Sequence, residues 1–247
     1  MAEDSTSRVA IVTGASGGIG RAIAVALADQ GLAVVVGYAG NEAAAKDTVD
    51  AITAHGGRAV AAAADVADER QVATMFDGAE QTYGGVDVVV NSAGRGGYAP
   101  IKDLDLDQLD ALHRTNIRGT FVVAREAARR LRDGGAIVNL STSVVRLRFP
   151  TYGAYAASKG AVEAMSLVLA REMRGRDITV NAVAPGPVAT EFFLEGKTPE
   201  QIAGSATSSP QERLGTPEDI ARVVAFLTST AGHWVNGQTV QVNGGVI

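Results

Sequence analysis

Val9-Ala10-Ile11-Val12-Thr13-Gly14-Ala15-Ser16-Gly17-Gly18-Ile19-Gly20 sets four apolar residues against a run crowded with glycine. The apolar residues suit a strand. From Ile19 to Gln30 the chain carries a helical pattern, with Gly31 placed as a helix-ending glycine. A strand that passes through glycines into a helix makes a tight turn whose backbone N–H groups converge, and the helix dipole adds positive potential there. Such a turn cradles a pyrophosphate, and Gly14, Ser16, Gly17, Gly18, Ile19 and Gly20 are its candidate contacts. A glycine triplet alone is weak evidence; its place between the first strand and the first helix gives it weight.

Outward from this turn, short apolar runs alternate with longer helical stretches. Strands are expected at 9–12, 32–36, 58–63, 86–90, 136–140, 178–183 and 238–242. Helices are expected at 19–30, 42–55, 69–83, 106–131, 155–173 and 217–229. The strand runs are continuously apolar, as in a parallel sheet covered on both faces. Strand–helix alternation with right-handed crossovers gives a single-domain α/β fold, doubly wound in the Rossmann manner, with seven parallel strands over residues 1–247. Only 191–211 lacks a clear pattern, and it is expected to be a substrate flap.

Composition narrows the functional classes. With 22 basic and 27 acidic residues the net charge is -5, which gives no electrostatic case for nucleic acid or an anionic membrane. The absence of cysteine excludes disulfides, thiolate metal sites and cysteine nucleophiles. His55, His113 and His233 lack a ligand spacing, so no metal is expected. Residues 1–8 are polar with no apolar leader, and no stretch approaches membrane-helix length, so a soluble cytoplasmic protein is expected.

The second strand bears on the nucleotide. An acid about 20 residues beyond the glycine turn commonly grips a ribose 2′-hydroxyl. Here the strand runs into Val36-Gly37-Tyr38-Ala39-Gly40-Asn41, and the nearest carboxylate, Glu42, already belongs to the next helix. No carboxylate repels a 2′-phosphate, and Tyr38, Ala39 and Asn41 are candidate contacts for one. NADP(H) is therefore expected ahead of NAD(H), although no Arg or Lys stands at Gly17 or in the strand-two turn.

Four motifs in order resemble the short-chain dehydrogenase/reductase family, and the likeness runs from about Val9 to the C-terminus. They are Thr13 to Gly20, Asn91-Ser92-Ala93-Gly94, Tyr155-Ala156-Ala157-Ser158-Lys159, and Pro185-Gly186 with Val188 and Thr190 beyond it. Ser92 stands where the family pattern has a second asparagine. The nearest likeness is to 3-oxoacyl-(acyl carrier protein) reductases and similar NADPH-linked ketone reductases. The resemblance implies reduction of a 3-oxoacyl thioester or similar ketone, with a small carbonyl or alcohol as partner and a homodimer or homotetramer as the assembly. An NAD-linked polyol or secondary-alcohol dehydrogenase, and a non-catalytic dinucleotide sensor, are the rival readings.

Tyr155 and Lys159 stand four apart at a helix start and so share a face. A lysine ammonium is expected to lower the phenol pKa from its usual value near 10. In reduction Tyr155 gives a proton to the carbonyl oxygen, and the resemblance has Lys159 hold the ribose hydroxyls. A further hydroxyl must orient the carbonyl. The family's serine lies 13 before the tyrosine, at Thr142 here; Ser143 serves if the loop to Pro150 is one residue shorter, and both stay open. By resemblance Asn116 holds a relay water, and Asp65-Val66 bracket the adenine. Asn91, Ala93 and Gly94 let the ribose approach, and Thr190 bonds the carboxamide. The cluster Arg125, Arg129, Arg130 and Arg132 reads as a solvated helix face, whereas Arg146 and Arg148 stand near the site mouth.

Overall fold

The computed structural model describes residues 7–247. The polar opening at 1–8 therefore lies, except for Ser7 and Arg8, outside the described residues. The strands are β1 (Val9–Thr13), β2 (Ala33–Tyr38), β3 (Arg58–Ala63), β4 (Val86–Asn91), β5 (Leu131–Leu140), β6 (Thr179–Pro185) and β7 (Thr239–Val242). The helices begin with α1 (Gly18–Asp29), α2 (Glu42–Ala54), α3 (Glu69–Tyr83), α4 (Leu106–His113) and α5 (Gly119–Arg130). They continue with α6 (Val144–Leu147), α7 (Gly153–Glu172), α8 (Glu191–Leu194), α9 (Pro199–Thr207) and α10 (Pro217–Leu227). None of them is long and apolar enough to cross a membrane.

The strands form one sheet in the order β3-β2-β1-β4-β5-β6-β7, and every neighbouring pair is parallel. Alternate strand residues feed two cores. Val12, Val34, Val88 and Val138 face Ile23 and Leu27 of α1, Ile52 of α2 and Ile220 of α10. Ile11, Val35, Val89 and Ile137 face Phe76 of α3, Val123 of α5 and Leu169 of α7. Burying a side chain such as Ile11 or Ile137 contributes roughly 2–3 kcal/mol, so a polar residue at either position would be costly. Chain direction reverses its march across the sheet between β1 and β4, and the crevice beyond their carboxyl ends is where such sheets bind ligands.

Three local expectations change. The single helix over 106–131 is broken: a π-helical turn, Arg114–Arg118, parts α4 from α5, and Leu131 already belongs to β5. Within this wide turn the buried Asn116 side chain bonds twice to the backbone of Arg95. The second strand continues to Tyr38, so that residue ends a strand rather than opening a loop. Finally, β3 and β7 are edge strands, and their residues are only partly covered, unlike the five between them. The segment 191–211 holds α8 and α9, the latter started by a reciprocal cap between Thr198 and Gln201.

Candidate active site

The glycine turn explains its own composition. Gly14 has φ +65°, and a Cβ there would sit 2.9 Å from the backbone of Ala93. A Cβ on Gly20 would collide with the Gly14 carbonyl, whereas Gly17 faces open space. Side chains cap the N-termini of α2, α3, α4, α9 and α10, but α1 has neither a side-chain cap nor an acid in its first turn. Its free N–H groups and dipole remain for an anion. The residues present thus fit a dinucleotide pyrophosphate.

Other nucleotide candidates gather at the same edge. Ala39 is exposed beyond β2, and the Oδ1 of Asn41 accepts from Ala44 N at 3.0 Å, leaving its Nδ2 free to donate. After β3, Asp65 accepts from Ala67 N and pairs with Arg114 at 2.6 Å, while the buried Val66 packs on Gly119. After β6, Pro185 ends the strand, and Gly186 lies where a Cβ would approach Asn243 within 2.8 Å. Val188 bridges to Gly215, which steers the chain so that the Thr190 methyl stands over Gly18. The Thr190 hydroxyl accepts from Phe193 N and caps α8.

A buried polar chain joins this turn to α7. Thr13 donates to Asn91 at 2.7 Å, Asn91 donates to Thr120 at 3.0 Å, and Thr120 donates to the Asn116 carbonyl at 2.7 Å. Asn116 Nδ2 in turn donates to Ser158, whose hydroxyl donates to the Tyr155 carbonyl. Thr120 and Ser158 were not singled out in the sequence, where a mid-helix Thr or Ser carries no mark of such a bond. Asn116 has spent both amide hydrogens, on Arg95 O and Ser158, and one acceptor site on Arg95 N. These bonds tie its side chain to the loop after β4 and to α7.

At the start of α7 both Tyr155 and Lys159 are buried. Lys159 Nζ donates to the Leu140 carbonyl at 2.7 Å. A Cβ on Gly94 would lie 3.3 Å from that nitrogen and 3.4 Å from Asn116 Oδ1, so glycine is what lets the three meet. Burial pulls the Lys159 pKa down to about 8. Burial also raises the Tyr155 phenol above its ordinary value, with Tyr98 adding to the rise and a hydrogen bond with Thr142 opposing it. The rise comes chiefly from taking a phenolate out of water, and Lys159, the group expected to lower it, is not among those that oppose it.

The two candidate hydroxyls part company. Thr142 lies near enough to Tyr155 to oppose the rise in its pKa, whereas Ser143 donates to Ala184 O at 3.2 Å and accepts from Asn243 at 3.1 Å. Ser141 is engaged with Glu163 at 2.7 Å. The arginine cluster is spent on ion pairs: Arg130 with Asp77 and Glu80, Arg132 with Asp87, Arg125 with Glu69, and Arg129 with Glu126. Arg146 and Arg148 are exposed beside the cleft. Around Tyr155 stand Tyr98, Tyr152 and Phe192, which sequence reading passed over because loop aromatics have no periodicity to betray their partners.

Known proteins share this architecture. A family model described as Enoyl-(Acyl carrier protein) reductase matches residues 14–247. A protein of Picea abies, a short-chain type dehydrogenase/reductase, is 46% identical over 97% of this chain and 92% of its own length. An NADPH-dependent aldehyde reductase-like protein, chloroplastic, of Arabidopsis thaliana is 44% identical over 97% of this chain and 94% of its own. Among solved structures, a short chain dehydrogenase from Burkholderia cenocepacia J2315 in complex with NADP superposes with a TM-score of 0.91 at 35% identity, covering 98% of each chain.

Proposed function

Because the chain belongs to the short-chain dehydrogenase/reductase family, we propose that it reduces a ketone or aldehyde to an alcohol with NADPH, Tyr155 supplying the proton. The observation that carries this is the buried pair Tyr155 and Lys159 at the sheet edge, beside a glycine turn that fits a pyrophosphate. NADP(H) is the cofactor: the Arabidopsis relative is named NADPH-dependent, the Burkholderia structure contains NADP, and no carboxylate stands at the end of β2. When bound, the reduced nicotinamide supplies a hydride to the carbonyl carbon, so that ketone, NADPH and one proton become alcohol and NADP⁺.

This chain's own groups do the rest. As a phenol, Tyr155 carries a proton at neutral pH that it can give to the carbonyl oxygen. Thr142 donates to the same oxygen and holds it against the phenol. Lys159 faces the ribose, and Asn116 acts as a positioning residue that sets the loop carrying Gly94. We take 191–211 as the flap over the substrate, and a 3-oxoacyl thioester or another ketone as the substrate. Phe121 on α5 and Leu167 and Val168 on α7 are exposed apolar residues that suit a homodimer or homotetramer. The Arabidopsis relative is chloroplastic by name.

NADPH absorbance should fall in the presence of a ketone or aldehyde. No turnover across a broad carbonyl and alcohol panel, with either cofactor, would overturn the assignment. Two substitutions refine it. Thr142→Ala should lower kcat by about 10²-fold, as for other removed donors to a developing oxyanion. Ser143→Ala should leave kcat within about threefold and cost about 1–2 kcal/mol of stability through its lost bonds; steady-state rates and melting curves of both variants decide. Ala39→Asp should weaken NADPH binding roughly tenfold or more by repelling the 2′-phosphate, and should bring NADH forward. Parallel titrations that leave the NADPH to NADH ratio unmoved would contradict the placement of the phosphate.

A further inference from the structure

This chain is poor in aromatics, with one Trp, five Tyr and six Phe, yet five of these twelve meet at the catalytic tyrosine. The rings of Tyr98 and Tyr152 lie 4.4 Å apart at 42°, and Tyr98 stands edge-on to Tyr155 at 5.8 Å and 73°. Phe149 backs Tyr152 at 5.9 Å, and Phe192 approaches Tyr155 from the opposite loop at 6.4 Å. They come from three separate connections: Tyr98 follows β4, Phe149 and Tyr152 follow β5, and Phe192 follows β6.

These rings are not core. Tyr98 is 45% exposed, and Phe149 and Phe192 are each 48% exposed. Nor are they loosely held. Ala99 N donates to the Thr151 carbonyl at 2.9 Å, which fastens the loop bearing Tyr98 to the loop bearing Tyr152. Thr151 sits at φ +71°, a conformation that a β-branched residue adopts only under constraint. Half-exposed rings from three connections, gathered beside one phenol, make a surface suited to something flat. Phenols and phenyl rings are uncharged at neutral pH, so this wall offers aromatic rings and no charge.

Resting on the carbonyl reduction proposed above, we infer that the substrate is a planar aromatic carbonyl compound whose ring system slides between the Tyr98–Tyr152 pair and Phe192 and brings its C=O to Tyr155. The reduction itself is unchanged. A flexible acyl chain would fill the same space without using the ring geometry, whereas each aromatic pair adds about two- to tenfold in affinity beyond the area it buries. Tyr152 and Phe192 are thus the residues that set specificity.

The test compares 2-tetralone with 2-decalone, which share a bicyclic skeleton and an unconjugated ketone and differ in one aromatic ring; acetoacetyl-coenzyme A is the thioester arm. Wild-type kcat/KM should be at least tenfold higher for 2-tetralone than for either other compound, with most of the difference in KM. Tyr152→Leu and Phe192→Leu should each cut the 2-tetralone to 2-decalone ratio at least threefold, the loss falling on KM rather than kcat. Equal use of the two ketones, a preference for the thioester, or variants that slow both ketones equally would overturn the inference and leave carbonyl reduction standing. Turnover of none of the three would overturn the inference, and the broad carbonyl panel then decides on the reduction itself.

Discussion

Tyr155→Phe is expected to lower kcat for ketone reduction about 10³-fold or more while NADPH still binds. The substitution removes one oxygen and keeps the ring. Contacts with Tyr98 at 5.8 Å and Phe192 at 6.4 Å survive, as does the backbone bond from Ser158 to the residue's carbonyl. The proton aimed at the carbonyl oxygen disappears, and general acid catalysis supplies about 10²–10⁴ in rate. Here the loss falls toward the upper part of that range, because Thr142 alone would then face the developing oxyanion, and it has no base to renew its proton. Steady-state rates paired with NADPH fluorescence titration measure the two effects separately. A variant retaining a tenth of the rate would remove Tyr155 from the chemistry.

Lys159→Met is expected to cost about 10²-fold in kcat/KM and yet leave the protein at least as stable at pH 7, a separation that burial explains. In water the ammonium has a pKa of 10.5, and in the folded chain burial holds it to about 8. The folded state therefore releases this proton more readily than the unfolded state does. Between about pH 8 and 10.5 the unfolded chain binds more protons, so wild-type stability rises with pH through this window, and below it the full cost of the buried charge is present. The shift corresponds to about 3 kcal/mol as an upper bound. Losing the bond to the Leu140 carbonyl returns about 1 kcal/mol of that. Methionine fills a similar volume without the charge. The melting temperature of the variant at pH 7 should match or exceed that of wild type by a few degrees, and the gap should narrow as the pH is raised toward 10. A fall of more than about 5 °C at pH 7 would show that Lys159 stabilises the fold, contrary to its burial without a carboxylate partner.

The two variants also bear on each other. If Tyr155→Phe is inactive and Lys159→Met is inactive but stable, the ammonium is retained for the reaction at the expense of stability. That balance is typical of a buried titratable group in a working site.

Much of the architecture was legible in the chain. The glycine turn, the continuous apolar runs and the Tyr155–Lys159 spacing each depend on residues within a few positions of one another, and local geometry translates such patterns directly. Legibility failed where a distant contact overrode local preference. The stretch 106–131 reads as one helix because its composition suits one, but a π turn interrupts it where Asn116 bonds to Arg95. The strand run at 58–63 reads as buried, yet it lies at a sheet edge, and sequence order does not reveal edge position.

From the sequence alone come a doubly wound parallel sheet, a phosphate-cradling turn after its first strand, and a phenol and an ammonium one turn apart on a helix. These are short-range facts, fixed by periodicity and by the steric freedom of glycine. Which hydroxyl faces the phenol, and what surrounds it, belonged to the tertiary structure. Ser143 is drawn off by Ala184 and Asn243, 41 and 100 residues further along, and three connections far apart in the chain deliver the rings around Tyr155. A side chain turns toward whatever neighbour satisfies it, and only the packed sheet decides which neighbours those are.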